Sequence, residues 1–220
     1  MARMPRLVVP GYPHHVTQRG NRRMKTFFCE EDYLYYRELL SEHKSDVGVD
    51  CWAYCLMPNH VHLVVVPEFK DSLSSLFRLV HRQYSRYINF RENWRGHLWQ
   101  ERFHSFVMDE EYLLATVRYT ELNPVRARLC TLAQDWRWSS AQAHFQGSDD
   151  LVVSVKPMLN RIDNWAAYLS LDEQPERIAR IRQHAGTGRP AGDESFVEFL
   201  ESRTGKYLKK GKPGPKARIK

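Results

Sequence analysis

Between Asp50 and Val66 the chain carries two runs of β-forming residues, 50–57 and 60–66, separated only by Pro58-Asn59. Proline with asparagine favours a tight turn and leaves no length for a crossover, so the two runs are committed to an antiparallel hairpin. The neighbouring segments must be compatible with it. Residues 12–19 read as a strand ended by Gly20-Asn21, and residues 30–44 as a helix with Tyr33, Tyr36, Leu39 and Leu40 at helical spacing. Ser72 to Asn89 follows as an amphipathic helix with Leu73, Leu76, Phe77, Val80 and Tyr84 in its apolar stripe, and residues 103–108 as a short strand. Asp109 can cap a further helix, Glu110 and Glu111 suit the positive end of its dipole, and Pro124 sets its end near Asn123. The order β, α, β, β, α, β, α predicts an α+β fold, a ferredoxin-like antiparallel sheet with helices on one face. From about Gln146 the strand signals stop: residues 156–184 read as two short helices, 186–192 as a linker and 193–201 as a short capped helix before a Lys/Gly/Pro tail.

An apolar content of 42% is enough to close a core in a chain of 220 residues. No stretch approaches the roughly 20 apolar residues that cross a bilayer, and the opening residues supply no secretory apolar region, so a cytoplasmic location is expected. Cys29, Cys51, Cys55 and Cys130 are then expected to be thiols. Cys51 and Cys55, four apart in a strand, should share a face but lie too far apart along it to chelate one ion comfortably. The formal charge of +7 points toward nucleic acid, yet residues 203–220 hold eight basic side chains and no acid, which leaves the rest of the chain slightly acidic. A second basic cluster, from Arg3 to Lys25, precedes the first acid at Glu30.

Residues two apart in a strand project from one face, so His60 and His62 can share a metal while Val61 and Leu63 enter the core. His-x-His is also a common tripeptide, and either ring can serve as a satisfied polar group. Tyr119 and Asn123 lie four apart on the helix after Asp109 and share a face of it. Packing of the tyrosine and a helix stop at Asn123 before Pro124 explain the same pair equally well.

Several longer motifs occur together and in order: 54–63 (Tyr-Cys-Leu-Met-Pro-Asn-His-Val-His-Leu), 96–103 (Gly-His-Leu-Trp-Gln-Glu-Arg-Phe), 118–127 (Arg-Tyr-Thr-Glu-Leu-Asn-Pro-Val-Arg-Ala) and Trp138-Ser-Ser140. In these the chain resembles the Y1 transposases of the HUH superfamily, and within it the REP-associated tyrosine transposases, related to the IS200/IS605 type. The likeness covers about residues 6–147. It implies that His60 and His62 are metal ligands, that Tyr119 is the nucleophile, and that Asn123 stands where the family has a third polar ligand, often glutamine in the insertion-sequence branch. It also implies a covalent 5′-phosphotyrosine with release of a 3′-hydroxyl, and hairpin-forming repeats as substrate. Residues 1–147 would then be the catalytic domain, 148–185 a helical extension, and 186–220 a linker, short helix and basic tail.

The chemistry makes sense of those residue types. Attack on a phosphodiester builds charge on non-bridging oxygens, which a bound Mg²⁺ or Mn²⁺ can neutralise. Two imidazoles and an amide carry no formal charge, so they would hold a hard cation loosely until DNA phosphate joined the shell. Tyrosine, with a reference pKa of about 10, must lose its proton during attack. Glu121 is a weak candidate for the base, since it lies about 200° round the helix from Tyr119. Arg19, Arg22, Arg23 and Arg102 are candidate phosphate contacts, and Lys209 and Lys210 with the rest of the tail would add salt-sensitive affinity. Trp94, Trp99, Trp136 and Trp138 could stack on unpaired bases, although at least two are expected in the core. The expected partner is single-stranded or hairpin DNA, with a homodimer left open. Two other functions fit the composition: a non-catalytic nucleic-acid-binding regulator of the same fold, and a hydrolase whose histidine pair activates water.

Overall fold

A computed structural model describes residues 6–172 and 174–209. The elements β1 (His14–Arg19), α1 (Glu30–Lys44), β2 (Val49–Met57), β3 (His60–Pro67), α2 (Ser72–Arg91), β4 (His104–Val107) and α3 (Glu110–Glu121) follow in the expected order. Their sheet runs β2-β3-β1-β4 with every pair antiparallel, the ferredoxin-like arrangement. Asp109 caps α3, its carboxylate accepting the Tyr112 N–H at 2.8 Å. Pro124 does more than end that helix. It sits in the first turn of α4 (Asn123–Arg126), where its missing N–H would have had no helical partner.

Alternation along the strands divides the side chains between two cores. Val16, Tyr54, Leu56, Val61 and Leu63 pack beneath α1 and α2, both on one face as the fold class requires. The opposite face carries Ala53, Val64 and Phe106, covered by α3 and by helices of the C-terminal extension. After α5 (Ala141–Gln146) the extension runs through α6 (Lys156–Leu159), α7 (Trp165–Ser170), α8 (Pro175–Thr187) and α9 (Glu194–Thr204). Three helices rather than two occupy residues 156–187, because Asn164 caps a new start by accepting the Ala167 N–H at 2.9 Å and Pro175 opens another. Residues 186–192 are partly structured, since Ala191 bridges to Met108 beside the sheet. Leu200 and Leu208 close a small third core against Leu7, Val9 and Val107.

The two strand cysteines do not share a face. The register slips between Cys51 and Ala53, a bulge at Trp52 that reverses the alternation. Cys51 consequently packs beneath α1 and α2, whereas Cys55 stands opposite His62. All four cysteines are free thiols. Among the described residues, no helix is long and apolar enough to cross a membrane.

Candidate active site

The face of the sheet beneath α3 has a polar end, and strand register creates it. His60 lies opposite Arg19, His62 opposite Thr17, and Thr17 opposite His104. One step further along, Val64, His15 and Phe106 form the next cross-strand row, where the surface turns apolar. His15 and His62 are thus diagonal neighbours on β1 and β3. A 2.9 Å hydrogen bond joins His15 Nε2 to His62 Nδ1, and the two rings stack with centroids 5.1 Å apart. The His60 ring lies 4.9 Å from that of His62, and its Nδ1 donates to Asn59 Oδ1 at 2.6 Å.

Tyr119 descends on this cluster from α3. Its ring stands edge-on to His62 at 5.6 Å and to His15 at 6.3 Å. Arg126 covers the other side of the phenol, with its guanidinium carbon 4.3 Å from the ring centroid and a hydrogen bond to the Tyr119 carbonyl. A cavity of about 440 Å³ opens over His60, His62, His15 and Tyr119. Its far wall is α8, through Ile181, Arg182 and Ala185.

Burial keeps these imidazoles neutral. It pushes His15 down to about 3, and with nearby Arg19 it pushes His60 down to about 4. His62 falls well below the usual range, through burial first and then through His60, His15, Arg126 and Arg19. Neutral rings can offer lone pairs to a cation. His62 fits that use, for its Nε2 is buried without a hydrogen-bond partner while its Nδ1 is held by His15. Engagement of one ring nitrogen is what orients the other toward a metal. No group of three or more His, Cys, Asp or Glu side chains among the described residues is arranged to hold an ion. The donors on this face are the His60 and His62 rings, a small neutral set suited to a hard cation that takes its remaining oxygens from water and phosphate.

The other expected site residues are distributed unevenly. Arg19 and Arg23 line the cavity, whereas Arg22 does not. Gly20 brings the intervening loop close to the hairpin turn: its N–H donates to the Asn59 carbonyl at 2.8 Å, and a Cβ there would meet the Met24 carbonyl at 2.4 Å. The Asn59 amide in turn donates to the Arg23 carbonyl at 3.0 Å, fixing Arg23 at the cavity mouth. Asn123 opens α4, half-buried and outside the cavity lining, with its amide nitrogen lacking a partner. Arg102 borders a neighbouring groove. Lys209 is engaged by Glu194 and Glu198 at 3.1 and 2.8 Å on α9, and Lys210 lies outside the described residues. Glu121 points away from the phenol and accepts from Ser140, Trp165 and His144 at 2.5, 2.9 and 2.7 Å. Of the tryptophans, Trp99 and Trp138 are buried, Trp136 packs at the core edge, and Trp94 is exposed.

Comparison with known proteins converges on one family. The family model described as IS200-like transposase matches residues 9–123, more than half of the chain and every residue of the tyrosine–histidine cluster except Arg126. The chain belongs to the IS200-like transposase family. It is therefore a tyrosine (Y1) transposase, an enzyme that acts on DNA. A REP-associated tyrosine transposase of Escherichia coli is 25% identical over 121 residues, covering 54% of this chain and 70% of that relative. The solved structure of a REP-associated tyrosine transposase bound to a REP hairpin superposes with a TM-score of 0.58 at 22% identity, over 70% of this chain and 92% of that one. That superposition establishes the shared fold.

Contributors to the transposase site that the sequence does not announce include His15, Arg126 beside the phenol, and α8 on the cavity wall. His15 was legible only as part of a strand, and becomes a site residue once β1 pairs with β3. Arg126 lay beyond the expected helix end, and α8 carried no chemical signal of its own.

Proposed function

We propose that this transposase cuts and rejoins single-stranded DNA through Tyr119, on repeats that fold into hairpins. The observation that carries the reading is the phenol of Tyr119 set against the buried imidazoles in one cavity. The phenolic oxygen attacks phosphorus, the bond from phosphorus to the 3′-oxygen breaks, and that oxygen leaves as a 3′-hydroxyl after taking a proton. A 5′-phosphotyrosine remains, and attack by a 3′-hydroxyl reverses the step with no external energy source. His60 and His62 would hold Mg²⁺ or Mn²⁺ through Nε2, with Asn123 as a third ligand if α4 shifts toward them. Bound there, the ion supplies charge neutralisation at the non-bridging oxygens and at the leaving oxygen. His15 holds the His62 ring in place, and Arg126 places a positive charge beside the phenolate that forms during attack. Arg19 and Arg23 would grip phosphate at the mouth.

Hairpin DNA as the substrate is supported by the relative solved with a REP hairpin. Residues 1–147 would form the catalytic domain, with the extension from 148 closing the far wall of the cavity, working in the cytoplasm. The test uses a labelled hairpin oligonucleotide with a single-stranded flank and Mg²⁺ or Mn²⁺. The native chain should give a covalent adduct retarded on a denaturing gel, and Tyr119→Phe should abolish both adduct and cut while hairpin affinity stays within a few-fold. Cleavage by Tyr119→Phe overturns the assigned nucleophile. Cut DNA without adduct from the native chain would indicate a water-activating hydrolase, and binding with neither would indicate a regulator.

A further inference from the structure

A second groove lies beside the tyrosine cavity, and the two share Glu101 in their walls. It has a volume of about 510 Å³, within the range of roughly 300–1,000 Å³ typical of built ligand sites. One wall is α2, which presents Arg78 and Arg82 four residues apart on the same side of the helix. The other wall is the 96–103 segment, with Arg102 and Trp99. Arg78, Arg82 and Arg102 are exposed, and none makes an ion pair with another described residue. Arg102, on the groove wall, and His104, on the cavity wall, also border one small cleft between the two.

Solvated surface arginines are commonplace, so the decisive feature is Trp99. It is 7% exposed, it lines the groove, and its indole N–H is buried without an acceptor. Packing against the tilted ring of His81, with centroids 4.7 Å apart, fixes the indole and leaves its N–H a fixed donor without an acceptor in the free protein. Three uncommitted guanidiniums around one unsatisfied donor suit a ligand that carries phosphates and oxygen or nitrogen acceptors together. Arg78 and Arg82 are about 6 Å apart along the helix axis, on the order of one nucleotide step.

We propose that this groove binds the unpaired strand that continues from the Tyr119 cavity, with Arg78, Arg82 and Arg102 on its phosphates and Trp99 N–H on a base or sugar acceptor. The assignment deepens the DNA-cleaving reading and rests on it. The groove would set how much flanking strand the transposase needs beyond the cut, a role distinct from gripping a duplex stem.

Equilibrium binding tests it in the Tyr119→Phe background, so the outcome is independent of whether the nucleophile is correctly assigned. Two labelled hairpins are compared by fluorescence anisotropy, one ending at the scissile phosphate and one extended by several unpaired nucleotides. The extended DNA should bind more tightly, and the Arg78→Ala/Arg82→Ala double variant should weaken it by about tenfold and lower its salt slope by about 1.4, two single-strand phosphate contacts at roughly 0.7 each. Affinity for the short hairpin should change less than twofold. Trp99→Phe keeps a ring in place and should weaken only the extended DNA, by a few-fold. Equal affinity for both hairpins, or equal losses on both in the double variant, overturns the proposal, the latter by assigning these arginines to the stem. An unchanged melting temperature in each variant shows that the loss is one of binding and not of folding.

Discussion

Beneath α1 and α2 the sheet meets a continuous stack of rings, whereas beneath α3 the same strands present histidines, a threonine and an arginine to a cavity. On the first face Tyr84 packs against Phe27, Tyr36 and Trp99 at centroid distances of 5.4, 5.1 and 5.9 Å. On the second, His15 Nδ1 and His62 Nε2 are buried without partners. Burying such atoms is unfavourable, and the proposed cation site would carry that cost until the ion and DNA arrive. The strand period of two lets one sheet do both jobs, because residues adjacent in sequence face different environments. Val61 closes a core between His60 and His62, which face the chemistry. The aromatic face therefore supplies stability that the catalytic face gives up.

The sharpest way to break this division is Tyr84→Ala. Removing a fully buried ring from the stack should cost about 3–5 kcal/mol and lower the melting temperature by roughly 10 °C or more. Tyr84→Phe retains the ring and loses only the 2.6 Å bond to the Thr26 carbonyl, so about 1 kcal/mol is expected. A drop of under 2 °C for the alanine variant in thermal unfolding would show that the stack does not anchor the fold. The second largest effect should come from the catalytic face, at Glu121, two residues beyond Tyr119. Its buried carboxylate serves three donors, and Glu121→Gln confronts some of them with an amide N–H, which should cost about 1–3 kcal/mol in denaturant unfolding. Adduct formation per folded molecule should persist, since Glu121 lies away from the cavity. Loss of adduct without loss of stability would mean that Glu121 takes part in the chemistry after all.

What could be read in advance follows from the range of each interaction. The hairpin at Pro58-Asn59 and the helix of residues 30–44 are written in local turn chemistry and periodicity, and they formed where expected. The bulge at Trp52 was hidden, because tryptophan is a good strand former and the slip exists only relative to β3. His15 was hidden for the same reason: its hydrogen bond to His62 spans 47 positions, and only strand pairing brings the two rings together. Asn123 shows the opposite limit. Its spacing from Tyr119 is helical, but the chain leaves α3 at Leu122 and restarts at Asn123, so the shared face assumed for the pair is interrupted between them. The basic tail promised more than it delivers within the described residues, where Lys209 is tied to two glutamates. The clearest unassigned cations, Arg78 and Arg82, sat in an amphipathic helix whose sequence accounted for them as a solvated side.

A further expected effect depends on pH and probes the edge between the two faces. His14, fully buried on β1, donates from Nδ1 to the Tyr12 carbonyl at 2.8 Å and accepts the Val9 N–H at Nε2, 3.1 Å away. Both nitrogens are committed only in the neutral ring, and burial lowers its pKa to about 4. The unfolded chain, at about 6.5, binds the proton more readily, so this contribution to stability is complete above pH 6.5, falls as the pH drops, and is gone below about 4. Between pH 7 and 5 the loss from this one residue should be about 2 kcal/mol at most, on top of whatever the other buried histidines contribute. Protonation would set a new N–H against that of Val9, so the segment around Leu7 and Val9, and with it the third core holding α9, should loosen first. Urea unfolding of the native chain and of His14→Gln at pH 7 and pH 5 separates this residue from the rest: the variant starts less stable but should lose less on acidification. Parallel pH dependences in the two proteins would remove His14 as the acid-sensitive link and leave the histidines of the catalytic face as its source.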